Sequence, residues 1–415
     1  MVKKSKSVLV VGFNTRPLAY SLSLAGYDVY AVDFFGDLDL YPSVNDCLIV
    51  IKELDTRYNM IKYKYSVFLT KFTIDMLRKY PEIENLIIGS GLDDTFEERE
   101  KIIKEINKNQ YSIKNLNNSL ETIKKSRNII SVYNILASKG FKTPVTQSYE
   151  KVRLNDKLLD YPFVMKKNSG AGGINVYKIE SERELSFFIR LQKAKGFKES
   201  DWLIQEYLEG TPVSCTTISN GNECEVVSIN RQIIGEKYVN SPKDFIYCGN
   251  VVPANLFKKD NILISEISKT LANELKLRGI NGFDFVLKDH YPYLMEINPR
   301  IPGSIRVSES YLNLNLLDLH IKSFNNSKWN YVKNVINGAK PEVFATKLIM
   351  FAPKDIDKSQ LMKINSLEYV HDKSEQNTKI LKGDPICTVL YKGKTFSESY
   401  FGALKIIDEI KRIIG

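Results

Sequence analysis

The sequence predicts an α/β layer followed by α+β lobes and a small C-terminal module, and three stretches carry that prediction. Residues 7–35 run strand, turn, helix, strand. From Tyr161 to about residue 300 the texture changes to strands, hairpins and glycine turns. Residues 341–415 hold a further strand set, a turn at Lys382-Gly383-Asp384-Pro385 and an amphipathic helix after Ser397.

In the first stretch, Ser7 to Val11 is a short apolar run suited to a buried parallel strand. Gly12-Phe13-Asn14-Thr15 makes a turn, Pro17 fits the first turn of a helix, and Gly26 ends it. Tyr27 to Val32 is the second strand, closing at Asp33. One glycine in the turn is too few for the GxGxxG fingerprint, which argues against an NAD-dependent oxidoreductase. LTKFTIDMLRKY reads as a helix and NLIIGSG as a strand with a small-residue turn. Residues 119–140 read as one amphipathic helix, capped by Ser119 and Gly140, with Ile123, Ile130, Tyr133, Leu136 and Ala137 on its apolar stripe. The expected boundaries are 1–118 for the Rossmann-like layer, 119–335 for the two lobes and 336–415 for the terminal module.

Composition narrows the classes. The 415 residues are 43% hydrophobic and 26% charged, enough apolar material for a large core. Lys+Arg outnumber Asp+Glu by 59 to 49, but the basic residues are scattered, so no nucleic-acid partner is expected. Five cysteines without a CxxC pair and three dispersed histidines exclude a disulfide scaffold or zinc cluster. No apolar run is long enough for a membrane span. MVKKSKS leads straight into a strand without a signal-peptide pattern, so a cytoplasmic protein is expected.

Three segments carry chemistry. In YPFVMKKNSGAGGINVYKI, a strand ends near Lys166 and a loop of Ser169, Gly170, Ala171, Gly172 and Gly173 follows. Glycines let backbone N–H groups approach a polyphosphate, and the lysine adds a point charge. In WLIQEYLEG, an edge strand through Gln205 and Glu206 offers alternating backbone donors and acceptors to a purine. In GINGFDFVLKDHYPYLMEINPRIPG, Phe283–Lys288 and Tyr293–Ile297 form a hairpin joined by Asp289-His290-Tyr291-Pro292. It brings Asp284 toward Glu296, and Asn298 shares the face of Glu296. Two carboxylates and an amide oxygen are hard ligands suited to Mg²⁺. Arg300 adds a planar cation for an anionic substrate or intermediate.

These segments, in this order and spacing, resemble the ATP-grasp superfamily across essentially the whole chain. Within it, VGFNTRPLAYSLSLAGYDVYAVDFFGDLDL, INRQIIG and FIYCGNVVP are similar to the predicted ATP-dependent carboligases related to biotin carboxylase. The resemblance implies an ATP-grasp fold with a pre-ATP-grasp layer, and ATP with Mg²⁺, or Mn²⁺ in its place, as cofactors. It implies Lys166 on the α- and β-phosphates, with Arg127 standing where many members have a second phosphate lysine. Ser169, Gly170, Gly172 and Gly173 match the loop that closes over the phosphates. Gln205, Glu206 and Leu208 match the adenine-reading hinge. Asp284, Glu296 and Asn298 match the metal ligands. Arg300 matches the arginine at the phosphorylated intermediate, and Arg231 matches a basic residue toward the γ-phosphate. Pro212 stands where several members place a ribose-binding glutamate.

The reaction implied is ADP-forming ligation of a carboxylate to an amine through an acyl phosphate, within small-molecule or cofactor biosynthesis. An amino acid such as glutamate and a primary amine suit this chemistry. Arg16, in the first strand-to-helix turn, is a further candidate for holding a carboxylate or phosphate. The alternatives are a carboxylase that activates bicarbonate as carboxyphosphate and a non-catalytic ATP-binding sensor. Related enzymes often pair, which makes a homodimer one expectation.

Overall fold

The computed structural model describes residues 6–108, 113–154, 159–168, 170 and 172–415. The first layer is a parallel sheet of β1 (Ser7–Gly12), β2 (Asp28–Asp33), β3 (Asp46–Ile49), β4 (Asn85–Ile88) and β5 (Lys114–Asn115), ordered β3-β2-β1-β4-β5. Successive side chains of β1 point to opposite faces. Leu9 and Val11 join the core under helices Tyr65–Lys79 and Phe96–Lys108. Val8 and Val10 join a core shared with Leu316, Leu319, Trp329 and Val332, which arrive some 300 residues later. The first layer is therefore packed into the body of the chain.

The helix expected over 119–140 is two, Leu120–Arg127 and Ile129–Ser138. Asn128 breaks it: with φ −84° and ψ 87° it leaves the helical region, and its side chain caps the second helix by accepting from Ser131 N at 3.1 Å. The stripe shifts accordingly: Val132 is buried and Ala137 is exposed.

The small lobe is an antiparallel sheet of β6 (Thr146–Ser148), β7 (Phe163–Lys167), β8 (Val176–Ile179) and β9 (Trp202–Glu206), ordered β6-β9-β7-β8. β9 is thus interior, not the edge strand expected. The large sheet contains β10 (Thr211–Asn220), β11 (Cys224–Ile234), β12 (Tyr247–Val252), β13 (Arg278–Lys288), β14 (Tyr291–Asn298), β15 (Phe344–Phe351), β16 (Val370–His371) and β17 (Pro385–Gly393). Its order is β14-β13-β10-β11-β12-β15-β17-β16, so the last strands extend the lobe's own sheet through β12–β15 pairing. The closing helix Phe396–Ile414, capped by Thr395, covers them with Ala403, Ile407 and Ile410.

The β13–β14 hairpin turns on two residues, Asp289 and His290, rather than the four expected. Both are left-handed (φ 48° and 63°), the geometry of a tight hairpin turn matched to strand twist. Farther along, Asp284 pairs with Glu296 and Phe285 with Leu294, leaving Met295 as a bulge. Among the described residues, no helix is long and apolar enough to cross a membrane.

Candidate nucleotide and metal site

The bulge at Met295 organises the cleft. An extra residue frees a backbone carbonyl from the ladder and re-aims its neighbours. Lys166, at the end of β7, sends Nζ across from the small lobe to Met295 O at 3.3 Å and to Gln205 Oε1 at 3.0 Å. Burial lowers its pKa to about 8; Glu296 opposes that shift and Arg127 adds to it. Gln205 is buried, and its amide donates to Tyr133 Oη (2.9 Å) and Thr146 Oγ1 (2.8 Å). Its side chain therefore holds Lys166 at the cleft and links it to Tyr133 and Thr146. Glu206 is tied to the segment leading into β6: its N–H donates to Val145 O at 2.8 Å and its carboxylate accepts from Val145 N at 3.2 Å. Leu208, just past the strand, is buried.

On the facing hairpin, Asp284 lies opposite Glu296 in register. Asn298 Nδ2 donates to Asp284 Oδ2 at 2.9 Å, and Gln232 Nε2 donates to Asp284 Oδ1 at 2.9 Å. Burial first, then the charge of Glu296, raises Asp284 to about 7. Two carboxylates that each raise the cost of the other's charge are relieved by a cation between them. The all-oxygen donor set fits a hard divalent ion. Among the described residues no group of three or more His, Cys, Asp or Glu side chains is placed to hold a metal ion.

Arg127, the last residue of its helix, ties four elements together. It pairs with Asp94 through Nε (2.7 Å) and Nη2 (2.9 Å), and it donates to Glu296 and to Gly170 O. Burial disfavours its charge, but Glu296 and Asp94 outweigh that and hold its pKa above the ordinary value. Arg300 is bound by Asp93, whose own pKa is lowered because Arg300, Arg99 and Arg127 overcome its burial.

The glycine loop spans Lys166 and β8. Gly170, Gly172 and Gly173 have φ of 143°, 68° and 78°, conformations that disfavour a side chain. A Cβ on Gly173 would lie 1.8 Å from Phe245 O, so the loop sits directly on the segment before β12. Lys243 Nζ holds Ile174 O there at 3.2 Å. Ser169 and Ala171 lie outside the described residues. Arg127, Lys166, Gly170, Gly173, Leu203 and Glu296 line one cleft between loop and hairpin.

Two expected residues are not brought to this cleft. Arg231 is exposed and lies over the Phe396 ring at 6.0 Å. Strand alternation decides this: its neighbour Gln232 takes the face that looks at Asp284. Arg16 is buried and donates to Asp372 Oδ1 from Nε (2.9 Å) and Nη2 (2.7 Å), which commits it to the C-terminal module. Asp93, Asp94 and Gln232 were not singled out in the sequence. The acidic pair directly follows the small-residue turn at the end of β4, where open α/β layers place functional loops, and that position was the available signal.

Residues 127–304 match the ATP-grasp domain family, and the architecture around them is the ATP-grasp fold. Among individual proteins, the chain is similar to an uncharacterized protein of Methanocaldococcus jannaschii, 28% identical over 402 residues, covering 92% of this chain and 88% of that one. It is also similar to a tyramine–L-glutamate ligase of the same organism, 27% identical over 296 residues, covering 70% of this chain and 78% of the ligase. The crystal structure of an L-amino acid ligase from Bacillus licheniformis shares the fold, with a TM-score of 0.70, 16% identity and 98% of each chain covered.

Proposed function

We propose that this protein is an ADP-forming ligase that joins a small-molecule carboxylate to an amine. One observation carries the reading: Lys166, Arg127 and the glycine loop meet the Asp284–Glu296–Asn298 hairpin across a single cleft. Arg127 and Lys166 neutralise the phosphates, and Tyr207–Leu208, past the last paired residue of β9, meets the purine. Asp284, Glu296 and Asn298 would hold Mg²⁺, which when bound withdraws charge from the phosphate oxygens.

The chain's own groups then account for the remaining steps. A carboxylate oxygen attacks the γ-phosphorus, the bond to ADP breaks, and an acyl phosphate forms. The glycine loop shields it from water. The amine nitrogen attacks the acyl carbon, phosphate leaves with the C–O bonding pair, and the amine proton passes to solvent. Arg300, aimed by Asp93, stabilises the tetrahedral oxyanion.

The substrates proposed are an amino acid with a side-chain carboxylate, such as glutamate, and a primary amine. The test is a screen of carboxylate and amine pairs, tyramine among the amines, for Mg²⁺-dependent ADP release and a product of summed mass less water. ADP release with bicarbonate alone, and no amine-dependent product, would overturn ligation in favour of carboxylation.

A further inference from the structure

The ATP reading leaves Asp94 without a role, and the geometry gives it one. Asp94 sits on the loop after β4, in the first layer, far in sequence from every segment it touches. Its two oxygens take Arg127 side-on, at 2.7 and 2.9 Å, the planar fork geometry that fixes a guanidinium's direction. The same Oδ2 accepts the backbone N–H of Gly170 at 2.8 Å. Arg127 in turn donates to the carbonyl of Gly170. One carboxylate and one guanidinium thus hold both backbone groups of a single flap residue.

We infer that Asp94 is a positioning residue that latches the glycine flap and aims Arg127 into the cleft. This rests on the nucleotide reading for its purpose, though not for its geometry. Arg127 also carries Glu296 as a partner. Were Glu296 engaged by a cation, Arg127 would still have its two bonds to Asp94. Its remaining donor capacity is then presented to phosphate from a fixed origin. Gly170 suits the latch because both its amide and its carbonyl face the Asp94–Arg127 pair, and its φ of 143° is one that side chains rarely adopt.

Hydrogen exchange of the full chain without added nucleotide tests this, read on peptides spanning Lys166–Val176. In Asp94→Ala the flap amides should exchange at least about ten-fold faster than in wild type, while the β13–β14 hairpin stays protected. Asp94→Asn, the isosteric variant, should loosen the flap less, because its amide oxygen still accepts from Gly170. Calorimetry with MgADP supplies the second readout: Asp94→Ala should bind at least about five-fold more weakly, and Asp94→Glu should recover part of the loss. Flap exchange equal to wild type in both Asp94→Ala and Asp94→Asn overturns the latch. Absence of MgADP binding to the wild type would instead sink the nucleotide reading and leave the exchange result to decide the latch.

Discussion

Arg16 and Asp372 are 356 residues apart in sequence and share one carboxylate oxygen, Oδ1, with two guanidinium nitrogens. Asn14 Nδ2 adds a third donor to that oxygen at 3.0 Å. Arg16 and Lys347 overcome the burial of Asp372 and hold its pKa well below the ordinary carboxylate range. The first turn of the Rossmann-like layer is thereby fastened to the C-terminal module.

Removing one member of such a pair leaves a buried charge short of its main counter-charge. Arg16→Met and Asp372→Asn should each cost about 3 kcal/mol in denaturant unfolding. The double variant should cost clearly less than the two single losses combined. Strict additivity would show that the two side chains do not support each other.

Glu296→Gln should abolish Mg²⁺-dependent ATP turnover. Gln keeps an oxygen that Arg127 can reach, so the melting temperature should stay within a few degrees of wild type. Full turnover in this variant would remove Glu296 from the metal set.

Gly173→Ala tests the seat of the flap. An added Cβ would meet Phe245 O at 1.8 Å, and φ of 78° is strained for any side chain. Backbone must move to relieve this, so the loop should lift from the Phe245 segment. MgADP affinity should fall by ten-fold or more with little change in global unfolding. Unaltered affinity would mean that loop seating is irrelevant to nucleotide capture.

His320 predicts a pH dependence. Its Nδ1 accepts from Ile280 N at 2.9 Å and its Nε2 lies 3.0 Å from Leu116 O, which requires the neutral ring with the proton on Nε2. Burial lowers its pKa from 6.5 to about 4. The unfolded chain binds this proton first, so the contribution is complete above pH 6.5 and drains away as pH falls toward 4. Its full size is about 3 kcal/mol. His320→Asn should show a smaller stability loss than wild type between pH 7 and pH 5 in denaturant melts. Parallel pH curves for the two proteins would contradict the assignment.

How much of this could be read from residues alone depended on range. The Asp284–Glu296 pairing is local to one hairpin, and alternation plus turn residues suffice to predict it. The flap glycines are equally local. Alternation also separates Arg231 from Gln232, but only once the phase of β11 is known, and Asp284, 52 residues away, fixes that phase. The break at Asn128 hid inside an otherwise continuous apolar stripe, because a capping side chain resembles any helical asparagine until its backbone turns. β9 read as an edge because its second neighbour, β6, lies more than fifty residues upstream and is three residues long. Asp93 and Asp94 gain their roles from partners on two other elements, which sequence spacing does not encode.

The uninterrupted sheet from β14 to β16 bears on how the molecule can be dissected. β12 hands its outer row of amides and carbonyls directly to β15, from Gly249–Leu348 to Val252–Ala345. A shortened chain that ends ahead of β15 would bare that row as a raw flank, ready to zip onto a sister molecule. Minimal fragments carrying the nucleotide cleft alone should therefore clump on expression, and useful ones will need the tail supplied in cis or as an added strand.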